Sequence, residues 1–189
     1  MAAVEWNLGA VLRDLEELGR EMRPALAKSL NRAGTAVRTR AQRSVREELN
    51  LKAGDVNKLI TLRRATSRDL QAIIDVAPRP APLLQFGARE TRAGVSVKVK
   101  RKGARKVIRH AFIELGAFGA RHVFTRSLRG ERTLSPRLPI RSLFGISVVQ
   151  YLDDPKVIAN LGDVARSTFE KAIAHEIEFR LAKRRASTA

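Results

Sequence analysis

The chain has 189 residues, of which 44% are hydrophobic and 5% aromatic, and its formal net charge is +18 at pH 7. This size and hydrophobic content predict one compact domain over residues 1–189, with a mainly aliphatic core. The absence of cysteine excludes disulfides, thiolate metal ligands and cysteine nucleophiles. No run approaches the ~18 uninterrupted apolar residues of a membrane span, so we expect no contact with a membrane.

Residues 8–64 are predicted to be helical. A short amphipathic helix over residues 8–20 is indicated by an apolar stripe that consists of Leu8, Val11, Leu12, Leu15 and Leu18. A longer helix follows, with Pro24 in its first turn and an apolar residue at every third or fourth position. A third, short helix is predicted over Leu51–Arg64.

The period of the apolar pattern changes after this point, and residues 69–126 are predicted to be a β-rich, basic part of the domain. Leu70–Val76 alternates between apolar and polar or mixed positions, which is typical of a strand. The clearest alternation, Val95–Val99, is predicted to form a hairpin with Val107–Ile113. His122–Phe124 is a further short strand.

The rest of the chain is predicted to hold a loop with a docking segment over residues 127–142 and a long helix over residues 155–183. Helices, then strands, then a closing helix indicate the α+β class. We expect the N-terminal helices and the long C-terminal helix to pack on a small antiparallel sheet in two layers. The sequence shows no βαβ alternation, so a parallel nucleotide-binding sheet is not expected.

Catalytic and metal-binding patterns are not found in the sequence. The sequence has three histidines, His110, His122 and His175, and their spacing matches no known metal-binding motif. No serine nucleophile motif occurs, and carboxylates are too sparse between residues 76 and 152 for a convergent titratable site. We therefore expect a protein that is not an enzyme and that uses no metal or other cofactor.

Positive charge is concentrated in the middle of the chain, where residues 50–110 hold 15 Lys+Arg against 4 Asp+Glu. The hairpin in this region carries seven basic and no acidic residues in twelve positions, namely Lys98, Lys100, Arg101, Lys102, Arg105, Lys106 and Arg109. A second basic group lies in the loop over residues 121–132 and includes Arg121, Arg126 and Arg129.

Two interpretations of the basic hairpin remain open. The first is contact with the phosphates of a polyanion, which needs charge alone. The second is protection of an exposed strand edge, or docking of an acidic protein. Base-specific reading is not expected, because no aromatic side chains are interleaved with the basic ones.

The segment that follows the loop has two prolines and four apolar anchors, which are Leu138, Ile140, Leu143 and Phe144. In one interpretation this strand-like run locks the loop onto the sheet. In the other it is a docking segment for a neighbouring subunit.

Several short motifs follow one another in a characteristic order, namely Ser29–Gly34, Val37–Arg40, Leu83–Gly87, Arg92–Val97, Ala111–Ile113, His122–Arg126 and Arg137–Ile140. This combination covers most of residues 8–182 and resembles the minor tail protein Z family of tailed bacteriophages and prophages, also called tail completion proteins. The resemblance implies a structural virion protein at the head-proximal end of the tail, assembled in the host cytoplasm. It also implies a ring of six subunits next to the tail tube or tail terminator and the head-completion proteins.

The charge pattern and the resemblance lead to one expectation. A basic ring at the head–tail junction would surround double-stranded DNA, so the hairpin or the loop over residues 121–132 would hold the genome end by non-specific charge contacts. The alternative is a free, sequence-independent nucleic-acid-binding protein of the host cell that uses the same basic surface.

Overall fold

A computed structural model of the chain describes residues 22–116, 119–126 and 140–188. The helix predicted over residues 8–20 lies outside these ranges. The described helices are α1 (Arg23–Glu48), α2 (Ala53–Leu59), α3 (Val148–Leu152) and α4 (Pro155–Thr188). The strands are β1 (Ile60–Arg63), β2 (Ile73–Val76), β3 (Arg89–Thr91), β4 (Gly94–Val97), β5 (Lys106–Arg109), β6 (Ala111–Leu115), β7 (Arg121–Arg126) and β8 (Ile140–Ser142).

The α+β class is confirmed, with helices at both ends of the described chain and antiparallel strands between them. The strands form three small sheets, in the orders β1-β2, β3-β4-β5 and β6-β7-β8. Within the described residues, no helix is both long and apolar enough to span a membrane. The chain divides into two compact units. The first holds the described parts of residues 1–42, 60–76 and 152–189, and the second holds residues 43–59 and the described parts of residues 77–151.

Several predicted elements are present where the sequence indicates them. α4 begins at Pro155, as predicted, and continues to Thr188. The strand over His122–Phe124 is the centre of β7, and β2 occupies the second half of the predicted strand Leu70–Val76. These elements have strong local signals, because an apolar stripe or an alternation extends over most of their length.

The helix predicted over Leu51–Arg64 is wrong in its second half. α2 ends at Leu59, and Ile60–Arg63 forms β1. The reason is tertiary pairing: β1 lies antiparallel to β2, with Ile60 opposite Val76 and Arg63 opposite Ile73. Ile60 is fully buried, and a salt bridge of 2.6 Å joins Arg63 Nε to Asp75 Oδ2. That hydrogen bond and the charge of Asp75 raise the pKa of the Arg63 guanidinium above its usual value.

In the first unit, α1 packs closely against the β1-β2 hairpin. A Cβ atom at Gly34 would lie 2.9 Å from Leu62 Cδ1, so any larger residue there would force the Leu62 side chain to shift. The Asn31 side-chain amide pairs with the backbone of Ala65, donating to its carbonyl oxygen at 2.9 Å and accepting from its N–H at 2.8 Å. Arg38 Nε donates to the carbonyl oxygen of Ile60 at 3.0 Å. A helix face rich in small residues therefore positions the hairpin.

The second unit contains a correction to the predicted hairpin. Val107–Ile113 is not one strand, because His110 has a φ of 60° and the chain turns there. The residues before it form β5 and pair with β4, whereas the residues after it form β6 and pair with β7. One stretch of sequence thus supplies strands to two different sheets.

The core of the second unit forms around Phe86, which ends a 3-10 helix over Leu83–Phe86 and is fully buried. Gly145 lies against the Phe86 ring at a position where a side chain would not fit. Asn50 Nδ2 donates to the carbonyl oxygens of Phe86 at 3.2 Å and of Lys98 at 3.1 Å. These contacts fix the start of the basic hairpin against the core.

Candidate nucleic-acid interface

The positive charge of the chain belongs mainly to the second unit. The sequence of this unit holds 20 Lys+Arg and 6 Asp+Glu residues, a balance of +14, whereas the first unit holds 17 and 13, a balance of +4. Such a balance does not determine a fold, but it does determine which partners are attracted. The second unit therefore holds the candidate interface.

The β3-β4-β5 sheet has one buried and one cationic face. Residues directly opposite one another in antiparallel strands share a face. Val95 and Val97 of β4 are buried, and Ile108 of β5 stands opposite Val95 on the same face. The other face, which we call the outer face, consists of Arg89, Thr91, Gly94, Ser96, Val107 and Arg109.

The outer face carries exposed basic side chains and one exposed apolar residue. Arg89 and Arg109 are both exposed, and Val107, two residues before Arg109 in β5, is 49% exposed. Glu90, the one acid of β3, stands opposite Val95 on the other face, where its Oε1 accepts a hydrogen bond from the Ile113 N–H at 3.0 Å. Among the six residues of the outer face there is consequently no carboxylate.

Three of the seven hairpin cations are bound to the rest of the second unit. Lys100 Nζ lies 3.3 Å from Glu48 Oε1, at the end of α1. Arg101 donates its backbone N–H to the Glu48 carbonyl oxygen at 2.7 Å and its Nη1 to the Arg46 carbonyl oxygen at 2.9 Å. Arg101 thereby satisfies carbonyl groups that a helix C-terminus leaves without partners, whereas Lys100 pairs with a carboxylate at the same helix end.

Arg105 is the third bound cation. Its Nη2 donates to the carbonyl oxygens of Gly87 at 2.6 Å and Ser96 at 3.1 Å, and its Nε donates to Ser96 Oγ at 3.0 Å. A guanidinium can serve several acceptors at once in this way, which a lysine ammonium at the same position would do less well. Arg105 is therefore a structural residue of the hairpin.

The side chains of the other four hairpin cations make no hydrogen bond or ion pair with any residue that the structure describes. They are Lys98, which is half-buried, and the exposed residues Lys102, Lys106 and Arg109. The hairpin thus separates into a bound group and an unpaired group. The unpaired group, together with Arg89, can contact an anion without breaking any internal bond.

The second basic group predicted from the sequence is only partly described. Arg121 is exposed at the start of β7, and the Arg126 guanidinium lies 5.8 Å from the centroid of the Phe112 ring. Arg129 lies outside the described residues. The structure places Arg121 and Arg126 at the two ends of strand β7, in the β6-β7-β8 sheet, rather than in a loop as predicted.

The four predicted docking residues do not act as one group. Leu143 is half-buried and joins two parts of the unit, since its N–H donates to the Val123 carbonyl oxygen at 2.8 Å and its own carbonyl oxygen accepts from Leu83. Ile140 is 43% and Phe144 50% exposed, and the Phe144 ring packs edge-on against His122. Leu138 lies outside the described ranges. Leu143 thus serves the locking interpretation, while Ile140 and Phe144 remain accessible to another protein.

Sequence reasoning missed Arg89 and Val107 of the outer face. Arg89 is distant from the dense run of basic residues, and only the pairing of β3 with β4 brings it to the same face as Arg109. It also missed the aromatic contacts of His122 with Phe124 and Phe144, at centroid distances of 6.1 and 6.5 Å. The alternation of β7 was the available signal, because His122 and Phe124 are two residues apart.

The described part of the chain holds no group of three or more His, Asp or Glu residues that could bind a metal ion. It presents a cationic surface on a small β scaffold.

Comparison with known proteins identifies the family of the chain. The chain matches the family of prophage minor tail protein Z over residues 7–185, and it belongs to that family.

Membership of this family makes the chain a minor tail protein of a bacteriophage, and hence a structural component of the virion tail rather than a member of an enzyme family. No curated protein and no solved structure matches the chain.

Proposed function

We propose that this minor tail protein completes the tail at its head-proximal end. In this proposal six copies form a ring at the head–tail junction, next to the tail tube or tail terminator and the head-completion proteins. The unpaired cations of the second unit line the ring and hold the end of the packaged double-stranded DNA. The contacts are non-specific and involve phosphates rather than bases.

The observation that carries the DNA contact is the separation of the basic residues into bound and unpaired groups. The internal contacts of the hairpin cations are made by the side chains of Lys100, Arg101 and Arg105. The side chains of the exposed residues Lys102, Lys106 and Arg109 have no partner among the described residues, so their charge is available to a polyanion. Duplex DNA presents one negative charge per about 1.7 Å of its axis, so a ring of such surfaces would release many counterions on binding it.

The ring is supported by the way charge and apolar surface are distributed. Ile140 and Phe144 are exposed on the β8 side of the second unit, whereas Arg89 and Arg109 lie on a different sheet. A subunit can therefore contact a neighbour through one surface and the DNA through another. Contacts between unlike patches close into rings when the rotation between subunits permits it.

Cryo-electron microscopy of the mature virion, with the neck resolved, tests the proposal. The expected result is a ring of this chain between the tail tube and the head, with Lys102, Lys106 and Arg109 within about one Debye length, ~10 Å, of DNA density. A ring whose unpaired cations point to the outside would contradict the DNA contact. A chain located elsewhere in the tail would contradict the whole proposal.

A binding measurement with the purified chain separates this function from that of a free nucleic-acid-binding protein. The proposed ring subunit is expected to bind DNA weakly as a monomer and to gain affinity on assembly, because many weak charge contacts then act together. Tight binding by the monomer at physiological salt, with no assembly on tails, would favour the free binder.

A further inference from the structure

β5 lies at an edge of the β3-β4-β5 sheet, and its outer side is open. The Ile108 carbonyl oxygen points toward β4, since a Cβ atom on Gly94 would collide with it. The backbone groups of successive residues in a strand point to opposite sides. The N–H and carbonyl groups of Val107 and Arg109 therefore point away from β4, and the described residues supply no hydrogen-bond partner for them.

Other strand edges of the second unit are occupied by carboxylates. On β6, the Ile113 N–H donates to Glu90 Oε1 at 3.0 Å, and the Leu115 N–H donates to Glu114 Oε1 at 3.2 Å. Glu90 itself belongs to β3, the opposite edge of the sheet that contains β5, where its charge would repel an acidic strand. Side chains at an edge commonly prevent it from pairing with another chain. Among the described residues, no carboxylate does this at β5.

The side chains along β5 indicate which kind of segment fits its open edge. Lys106 and Arg109 are exposed and unpaired among the described residues, Val107 is 49% exposed and Ile108 is half-buried. The two cations are three residues apart, so they lie on opposite faces of the sheet. A strand added to β5 would therefore meet one positive charge on each face, with apolar side chains between them. Acidic residues three apart, separated by two apolar ones, complement this pattern.

We propose that β5 accepts an extended, acidic segment of another protein as a fourth strand of its sheet. Hydrogen bonds to the backbone of Val107 and Arg109 would hold the segment, and its acidic side chains would provide the specificity. Duplex DNA offers phosphates but no array of N–H and carbonyl groups with strand spacing, so the open edge favours a protein segment. Arg89 and Lys102 stay available to phosphates, because neither belongs to β5.

Binding of a synthetic peptide to the full chain, measured by calorimetry, tests the proposal. The peptide has blocked ends and Glu-Val-Val-Glu at its centre, which reads the same in both directions and so suits parallel and antiparallel pairing. Val107→Pro removes an edge N–H but no charge, and proline is tolerated where a strand N–H faces solvent. It is expected to weaken binding at least about tenfold, whereas Val107→Thr, which keeps the N–H, should lose less than about threefold.

A change in the peptide provides a second test that leaves the protein untouched. Methylation of the backbone nitrogens of the two central valines keeps both charges and every side chain but removes two N–H donors. The natural chain is expected to bind the methylated peptide about tenfold more weakly. A peptide with Lys-Val-Val-Lys at its centre is the charge control, and it should not bind. This arm remains decisive if Val107→Pro distorts β5.

Each other outcome would overturn the proposal. Binding that survives Val107→Pro or the methylation would mean that charge alone holds the peptide. No binding of the acidic peptide would leave the cations of β5 to edge protection or to DNA. Self-association of the chain that Val107→Pro abolishes would assign the edge to a second copy. Duplex DNA binding should be unchanged in Val107→Pro, so the proposed DNA contact and the added strand can fail independently.

Discussion

Arg105 Nη2 donates a 2.6 Å hydrogen bond to the carbonyl oxygen of Gly87. Gly87 has a φ of 69° and ends the 3-10 helix next to buried Phe86, so this bond connects the basic hairpin to the core of the second unit. The charge of Arg105 is therefore used internally, although the residue lies in the densest run of basic residues in the chain. Several predictions about individual side chains depend on this distinction between bound and unpaired cations.

Replacing Arg105 by glutamine is expected to lower the free energy of unfolding by about 1–2 kcal/mol, because three hydrogen bonds are lost at an exposed position. Lys102→Gln removes the same charge from a side chain without a described partner, and it should stay within about 0.5 kcal/mol of the natural chain. Denaturant unfolding measures both. Equal destabilisation by the two changes would refute the division of the hairpin cations into a bound and an unpaired group.

A triple change of Lys102, Lys106 and Arg109 to glutamine is expected to weaken duplex DNA binding. It should also reduce the slope of log K against log salt by up to about 0.9 for each lost phosphate contact. The matched control changes three exposed cations of the first unit, Arg32, Lys156 and Lys171, and lowers the net charge equally. Fluorescence anisotropy at several salt concentrations compares them. If both triples lose the same affinity, net charge rather than the unpaired hairpin cations governs binding.

Asn31→Ala is expected to destabilise the chain by about 1–3 kcal/mol, because the backbone N–H and carbonyl of Ala65 lose their partner near the core of the first unit. Asn31→Asp retains the acceptor for the Ala65 N–H but not the donor to its carbonyl oxygen, so an intermediate loss is expected. Thermal unfolding followed by circular dichroism gives the order of stability of the natural chain and the two variants. An unchanged midpoint for Asn31→Ala would show that the two hydrogen bonds between Asn31 and Ala65 contribute nothing to stability.

Gly94→Ala is expected to destabilise the second unit by about 1–3 kcal/mol, since its φ of 136° is strained for any other residue and the new methyl group would collide with the Ile108 carbonyl oxygen. Gly54 in α2 offers the opposite case, because no atom lies within 4 Å of a side chain added there. Gly54→Ala should stabilise by about 0.5–1 kcal/mol. Calorimetric unfolding of both variants checks that Gly94→Ala lowers the free energy of unfolding and that Gly54→Ala raises it.

Phe144→Asp is expected to prevent assembly onto tails while changing the unfolding midpoint little, because half of the side chain is exposed. Leu115→Asp is the control, since Leu115 of β6 is an exposed apolar residue of the same unit and was not assigned to docking. Complementation of a phage that lacks the protein measures assembly. Normal virion yields with Phe144→Asp would exclude this residue from the subunit interface.

The parts of the fold that could be predicted from sequence have local causes. The start of α4 at Pro155 and the alternation of β7 follow from propensity and pattern within one element. β1 could not be predicted, because Ile60–Arg63 is a strand only through its partner β2. The end of β5 also escaped prediction, since nothing in the sequence around His110 signals a positive φ in a residue other than glycine.

The sequence shows the candidate site as a region of concentrated charge, but the division of its cations into bound and unpaired groups could not be predicted. Lys100 and Lys102 are the same residue type two positions apart, yet only Lys100 has a carboxylate partner at the end of α1. Arg89 is assigned to the outer face by strand register alone. Partners and registers of this kind arise from contacts between distant segments, which a local sequence pattern does not contain.

The two groups of hairpin cations should differ in how freely evolution can move them. A lysine that meets only phosphates can shift by a position, or be exchanged for arginine, as long as the total charge near the DNA is kept. Arg105 has no such freedom, because its guanidinium geometry matches fixed acceptors on Gly87 and Ser96. Among related phages, arginine should therefore be preserved at position 105, whereas the unpaired basic residues should change position along the hairpin.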